Sequence, residues 1–550
     1  MTRPNILWVT THDINPDLGC YAGVWPGAEY ATTPHLDRLA ADGMRFDSVH
    51  AAAPVCGPSR SAVMTGCHPT AIGTMHMRTK AVPPPEVRLF TECLRAAGYY
   101  CTNTAFTDFQ VSVPGTAFDE CGPSAHWRHR PDPDTPFFAA FHGLTTHESR
   151  LYLDDDAFAA ATPHVRPEQR HDPADAPVPP YLPDTPTTRR TVARYADLVT
   201  EADHEVGRLL AQLDEDGLAG DTVVVFWSDH GRGMPREKRW LHDSGLRVPM
   251  IVRWPGRVRA GSTHPDPVEL LDLTATTLTL GGVDVPEHMH SRPVLTADGR
   301  PVPRPGGLCF GGRDRLDEQS DTSRTVRDAR YRYIRHVHPG RPPMPHLAYP
   351  DGLPTWAELR TLHAEEARQR GRGEVPDRLT PLQRTLVAPE KPAEELYDVL
   401  ADPYETTDLS ADPRHAAVLS RLRGELDGWQ ERHGDLGLLD EDELTARWLP
   451  GGVRPRTAIP QVAASARGIV ATCPTPGASV GWTVDPPPVD RPVPGPMDEL
   501  IGQRPGDGRR WLLATGPFTP PPGATVHVAA WRLGHVPSDE VVVPPEGVPA

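Results

Sequence analysis

The chain has 550 residues, 38% hydrophobic and 23% charged, which allows one large α/β domain with a smaller companion and argues against wholesale disorder. It carries 56 basic and 73 acidic residues, and the net charge of −17 excludes nucleic acid as a general partner and repels any polyanion at long range. An anionic substrate must therefore be held by local cations and a metal.

Eight cysteines lie scattered without a C-x-x-C pair, so neither a disulfide scaffold nor a zinc ribbon is expected. The opening residues carry no signal-peptide pattern, and no apolar stretch approaches membrane-spanning length. The expectation is a reduced, cytoplasmic protein without a membrane partner.

Residues 6–10 read as a buried strand running into Thr11-His12-Asp13. Ligands of open α/β sheets gather at such C-terminal strand ends. Residues 33–43 have a helix start, an apolar stripe and a glycine stop. A strand over 44–49 leads to Ala53-Pro54-Val55-Cys56-Gly57-Pro58-Ser59-Arg60, a turn that tips into a short helix, with Pro58 suited to a first helical turn. Residues 89–97 look helical, and 99–103 form a strand ending near Thr107-Asp108. A strand over 137–141 ends in Thr145-Thr146-His147-Glu148. The clearest periodic segment is 188–216, where Val192, Tyr195, Val199, Val206, Leu209 and Leu213 make one apolar face. Strand 222–227 then ends in Ser228-Asp229-His230-Gly231, and 248–254 is the next strand. This alternation implies an α/β fold with a mostly parallel sheet flanked by helices.

The texture changes near residue 301. Residues 324–338 alternate like strands and 416–433 read as a helix. After residue 453, short β-prone pieces at 468–472, 480–484, 510–514 and 525–532 are divided by proline and glycine. Three units are expected: a catalytic core over 1–300, a subdomain with a small antiparallel sheet over 301–450, and a β-rich unit over 453–550.

Cys56-Gly57-Pro58-Ser59-Arg60, followed by Ser61-Ala62-Val63-Met64-Thr65-Gly66, resembles the sulfatase signature C-x-P-S-R, two loose positions, two apolar ones and Thr-Gly. Every constrained position is filled. The resemblance runs over about residues 4 to 435 and is nearest the sulfamidase and heparan-sulfate branch. Glu395-Leu396-Tyr397-Asp398, with Asp402-Pro403-Tyr404-Glu405 after it, is similar to a segment near the end of the family's core. The tail, with Cys473-Pro474-Thr475-Pro476-Gly477, looks like the β-sandwich appended to some chitobiase and hexosaminidase enzymes.

The resemblance implies an alkaline-phosphatase-like fold and hydrolysis of a sulfate ester or N-sulfate on a sugar. Such hydrolysis needs a nucleophile, a cation to hold it, donors for developing charge and an acid for the leaving oxygen. By resemblance, a formylglycine-generating enzyme oxidises Cys56 to formylglycine, whose hydrate is the nucleophile, and Arg60 holds that hydrate. Asp13, Asp229 and His230, closed by Cys56, match the family's calcium ligands. His12 stands where the family has aspartate: its imidazole lowers the site's negative charge and favours a softer metal, or it leaves the shell. Lys238, in a run ending Arg247-Val248-Pro249, matches the sulfate-binding lysine. His147 matches the histidine that binds sulfate or protonates the leaving group. His76 and Arg78 fall on the substrate-contact loop.

One departure is expected to matter. Phe106 occupies the place of a family lysine and Asp108 that of a histidine. Losing one such donor costs about 3 kcal/mol at the transition state. Either Arg78 or Arg324 replaces it, or the substrate differs, so His76, Arg78, Asp108 and Arg324 are the candidate substrate-binding residues. Phosphonate or phosphate ester hydrolysis on the same scaffold, and binding of a sulfated ligand without turnover, are the alternatives. A homo-oligomer is compatible with the sequence.

Overall fold

The structure is a computed structural model that describes residues 3–104, 106–484 and 509–545. Its centre is β1 (Asn5–Thr11), flanked on both sides by parallel neighbours. That position leaves no solvent face, which is why β1 reads as a continuous apolar run. Trp8 sits at ring-centroid distances of 5.1, 5.1 and 5.5 Å from Phe90, Phe138 and Trp227, knitting the layers together.

The main sheet adds β2 (Met44–His50), β3 (Tyr100–Asn103), β4 (Glu120–Cys121), β5 (Phe137–His142), β6 (Thr222–Ser228), β7 (Arg247–Arg253), β8 (Ser262–His264) and β9 (Val268–Glu269). Its order is β4-β3-β5-β1-β6-β7-β2-β8, with β9 beside β2. Pairings from β4 through β6 are parallel, whereas β7 is antiparallel to both β6 and β2. The reversal has a local reason: only the single helical turn Asp243–Leu246 intervenes between β6 and β7, so no crossover helix returns the chain to the starting edge.

The long helix Pro186–Glu215 starts where Thr185 accepts a hydrogen bond from the Thr188 amide, and its apolar stripe packs on Leu7, Val9 and Phe137. The second sheet is fully antiparallel: β10 (Cys309–Leu316), β11 (Gln319–Arg327), β12 (Tyr331–His336) and β13 (Glu394–Asp398). Helix Ala416–His433 covers it with Leu419, Leu422, Leu426 and Trp429. Helix Pro354–Gly371, which shows no clean apolar stripe in the sequence, packs Trp356, Leu359 and Leu362 into the same core as the long helix.

The tail forms the hairpin β14 (Gln461–Ser465) and β15 (Gly468–Thr472), and a sheet of β16 (Ser479–Val484), β17 (Leu512–Leu513), β18 (Val526–Trp531) and β19 (Val541–Val543). Val462 and Ala471 of the hairpin share a small core with Val480, Val526 and Val528 of the sheet. Among the described residues no helix is long and apolar enough to cross a membrane.

Candidate active site

Register alone brings the key side chains together. Thr11 at the end of β1 pairs with Ser228 at the end of β6, and Thr10 pairs with His142 at the end of β5. The residues just past those ends, His12-Asp13 and Asp229-His230, therefore meet at one sheet edge. The Cys56–Thr65 helix is buried along its whole length and plugs into that edge, where Ser59 Oγ donates to the Asp229 carbonyl at 2.6 Å. Gly57 is required there, since a Cβ at that position would lie 2.4 Å from Gln110 Oε1 and 3.0 Å from Asp108 Oδ1.

Arg60, one turn after Cys56, is completely buried and ringed by acceptors. Its guanidinium donates to Asp229 Oδ2 at 3.0 Å, His142 Nδ1 at 3.1 Å, the Thr11 carbonyl at 3.1 Å and His12 Nε2 at 2.9 Å. Phe106 closes one side, its ring centroid 4.6 Å from the guanidinium carbon and 4.5 Å from the His12 ring. The position of the family lysine is thus filled by an aromatic face laid on a cation.

The donors fit a cation. His230 Nδ1 lies 2.9 Å from the Gly231 carbonyl, which can only accept, so Nδ1 carries the proton and Nε2 presents its lone pair. That Nε2 faces Cys56 Sγ at 3.1 Å, Asp13 Oδ1 at 3.4 Å and Asp229 Oδ1 at 3.6 Å. His12, Asp13, Cys56 and Asp229 each place a ligand atom within 4.8 Å of the others. Buried oxygen and nitrogen lone pairs aimed at one another call for a positive charge between them.

His12 is drawn elsewhere in its present pose. Nε2 accepts from Arg60, and Nδ1 lies 3.2 Å from Asp229 Oδ2. Burial, reinforced by Arg60, pushes its pKa down to about 3, so it stays neutral.

Lys238 Nζ lies 2.9 Å from Asp13 Oδ2 and 3.0 Å from Glu148 Oε1. Burial opposes its charge, but Asp13, Cys56 and Glu148 hold its pKa well above the ordinary lysine value. Glu148 is buried and gripped in turn by Arg239 at 2.8 and 2.9 Å. His147 is half-buried, and its Nδ1 accepts from Ser149, which leaves Nε2–H as a donor. Its ring lies 5.8 Å from that of His12. Burial and Lys238 lower its pKa. The Cys56 thiol is likewise pushed well above its usual value by burial.

Asp108 lies over Gly57 beside the helix start, and burial lifts its carboxyl to about 6 against the pull of Arg60 and Arg78. Arg78 is exposed, with a left-handed backbone (φ 59°) whose amide donates to Gln110 Oε1 at 3.1 Å. His76 is buried, its Nδ1 accepting from the Arg315 amide at 3.3 Å. Arg324 is set apart from these. It is fully buried between Asp314 at 2.9 Å and Asp435 at 2.6 Å, so its charge is matched within the second sheet rather than offered to a ligand. Of the two cations considered as substitutes at the Phe106 position, only Arg78 reaches solvent.

Sequence reasoning passed over His142, Glu148, Arg239 and Gln110. His142 carried a usable signal, since it ends β5 at the same edge as Asp13 and Asp229. The others act through tertiary pairing that no local pattern announces.

A cysteine at the start of a buried helix, a cluster of side chains that could hold a cation, and ringed arginine and lysine charges at the C-terminal edge of a mostly parallel sheet give the arrangement of a hydrolase of the alkaline-phosphatase-like class. The Sulfatase family model matches residues 4–122 and 124–283. An ulvan-active sulfatase of Formosa agariphila is 34% identical over 579 residues, covering 98% of this chain and 91% of the relative. Human N-sulphoglucosamine sulphohydrolase is 28% identical, covering 75% and 88%. Rat N-acetylgalactosamine-6-sulfatase is 31% identical, and the match spans 52% of this chain and 63% of that relative. Among solved structures, one in complex with its substrate D-glucosamine-2-N,6-O-disulfate superposes with a TM-score of 0.56 at 16% identity, covering 80% of this chain and 100% of that one. A 2-O GAG sulfatase gives 0.54 at 18% identity, covering 79% and 93%. The chain belongs to the sulfatase family and is a sulfuric ester hydrolase.

Proposed function

We propose that this sulfatase hydrolyses sulfate esters or N-sulfates carried on a sugar, with residue 56 as nucleophile after Cys56 has been converted to formylglycine by a formylglycine-generating enzyme. The observation that carries the reading is the convergence of Asp13, Asp229, His230, Arg60 and Lys238 on Cys56. The named activities of the relatives, on ulvan and on N-sulphoglucosamine, supply the substrate class. As formylglycine, residue 56 supplies a hydrated aldehyde whose oxygen attacks sulfur.

Asp13, Asp229 and His230 would hold a divalent ion, calcium by the balance of hard oxygen donors, which neutralises charge on the sulfate. Lys238 and Arg60 add fixed positive charge where the sulfate oxygens gain negative charge. Arg60 also orients residue 56, because its four acceptors leave it one pose. His147, with Nε2–H free to donate, stands where it can bond a sulfate oxygen or pass a proton to the departing sugar oxygen. Arg78 and Asp108, at the open side, would meet the sugar.

The test pairs mass analysis of the Cys56 peptide with an assay on 4-nitrophenyl sulfate, using protein co-expressed with a formylglycine-generating enzyme. Loss of sulfur and gain of oxygen at residue 56, with sulfate release, is the expected result. Confirmed conversion with no release from the aryl sulfate or from sulfated sugars overturns the reading.

A further inference from the structure

The tail reaches the nucleophile's surroundings through an unbroken line of backbone contacts. Arg532, itself buried, donates to the Pro83 carbonyl at 2.6 Å, and Arg454 donates to the Lys80 carbonyl at 2.8 Å. Gly534 packs so closely that a Cβ there would lie 2.4 Å from the Ala81 carbonyl oxygen, and one on Gly477 would lie 1.9 Å from that of Pro85. Leu533 is buried within the main hydrophobic core. Segment 80–85 is therefore strapped down by the tail along its length.

The strap is tied forward by Gln110. The Ala81 amide donates to the Gln110 carbonyl at 2.9 Å. The Gln110 side chain grips the next loop with both ends: its Nε2 donates to the His76 carbonyl, and its Oε1 accepts from the Arg78 amide at 3.1 Å. The same Oε1 rests where a Cβ on Gly57 would stand. Gln110 and Arg78 both hold left-handed backbone, φ 60° and 59°, a strain that persists only where surrounding contacts over-determine it.

We infer that Gln110 is a positioning residue that couples the C-terminal β unit to the His76–Arg78 loop, so that the tail sets the shape of the substrate mouth beside residue 56. Arg532 and Arg454 act at one end of this line, Gln110 at the other. The tail then works as a brace on the sulfatase core rather than as a separate binding module. The site beside which the loop stands is that of the proposed function, on which this inference rests.

Amide hydrogen exchange on the full chain tests the coupling without reference to turnover. In Arg532→Ala/Arg454→Ala, peptides covering 76–81 should exchange at least tenfold faster, while those covering β1 and β6 keep their wild-type rates. Gln110→Ala should give the same local rise with the tail intact, and Gln110→Glu, which keeps the acceptor for Arg78, a smaller one. With converted Cys56, KM for a sulfated sugar substrate should rise several-fold in the arginine variant with kcat within twofold. Unchanged exchange at 76–81 in either Gln110→Ala or the arginine variant overturns the inference. So does a uniform rise across the core, which marks general destabilisation. If the wild-type enzyme turns over no sulfate, the functional reading falls, and the exchange result still decides the coupling.

Discussion

Arg60 and Asp229 meet at 3.0 Å with both side chains sealed from solvent, and each orders a different part of the site. Asp229 Oδ2 fixes the arginine behind residue 56, while Asp229 Oδ1 accepts from the amides of Asp13 at 3.1 Å and His230 at 3.0 Å. Burial opposes the Asp229 charge, yet His230, Arg60 and His12 hold its pKa well below the ordinary range. One carboxylate thus ties the helix carrying residue 56 to the strand ends carrying the cation donors.

Breaking that pair should therefore damage folding and chemistry together. Arg60→Ala leaves a buried carboxylate without its cation, a change that costs about 3–5 kcal/mol. Arg60→Lys keeps the charge but loses the fork that reaches Asp229, His142, Thr11 and His12 at once. We expect Arg60→Lys to stay folded by circular dichroism and to lose about 100-fold in kcat/KM. Near wild-type turnover in Arg60→Lys would show that the fork does not position residue 56.

The Phe106 ring packs against both Arg60 and His12, which are themselves in contact, so restoring the family's lysine there should fail. Phe106→Lys places a further cation against a buried guanidinium whose own carboxylate, Asp229, is already shared with His12. The expected outcome is a lower melting temperature and lower kcat than wild type. Phe106→Leu keeps the apolar body and loses the aromatic face, and should cost about 1 kcal/mol. Denaturant titration of both variants, with aryl sulfate rates, checks the pair.

Asp108 gives a pH signature. Its folded pKa, about 6, lies above the unfolded carboxyl value of about 3.9. A raised folded pKa means that its contribution is fully present below the unfolded pKa and is lost as pH rises through about 6. Asp108→Asn does not titrate there. The stability of the variant relative to wild type should therefore climb between pH 4 and pH 7, by up to about 2 kcal/mol for this partly exposed group. Melting curves of metal-free protein across that range would read it, and a flat difference would place the carboxyl at its ordinary value.

Much of this site was legible because its residues are local. Cys56 to Gly66 is one contiguous signature, and Asp13, His147 and Asp229 each follow a strand whose apolar run announces it. What stayed hidden depends on distant pairing. Nothing near Arg324 in sequence predicts that Asp435 closes on it, and nothing near Gln110 predicts that it holds Arg78. The antiparallel turn of β7 was also unreadable from its own residues, since strand direction is set by the connection and not by the strand. Helix Pro354–Gly371 escaped because its buried residues are few and its remaining faces are charged.

Substitution at His12 tests which metal the site prefers. Its Nδ1 lies 3.2 Å from Asp229 Oδ2, so a carboxylate placed there would set two like charges side by side beneath Asp13. Without metal, His12→Asp should melt lower than wild type, because only Arg60 at 2.9 Å from the present Nε2 is near enough to offset the added charge. With calcium the order should reverse in part. A further hard oxygen raises affinity for a hard cation, and stabilisation by a ligand grows as RT ln(1 + [L]/Kd), about 2.7 kcal/mol at a hundredfold excess over Kd. The calcium-induced rise in melting temperature should thus be larger in His12→Asp than in wild type and absent in Asp13→Asn. An equal rise in wild type and His12→Asp would put residue 12 outside the ligand shell and leave its imidazole the single task of holding Arg60.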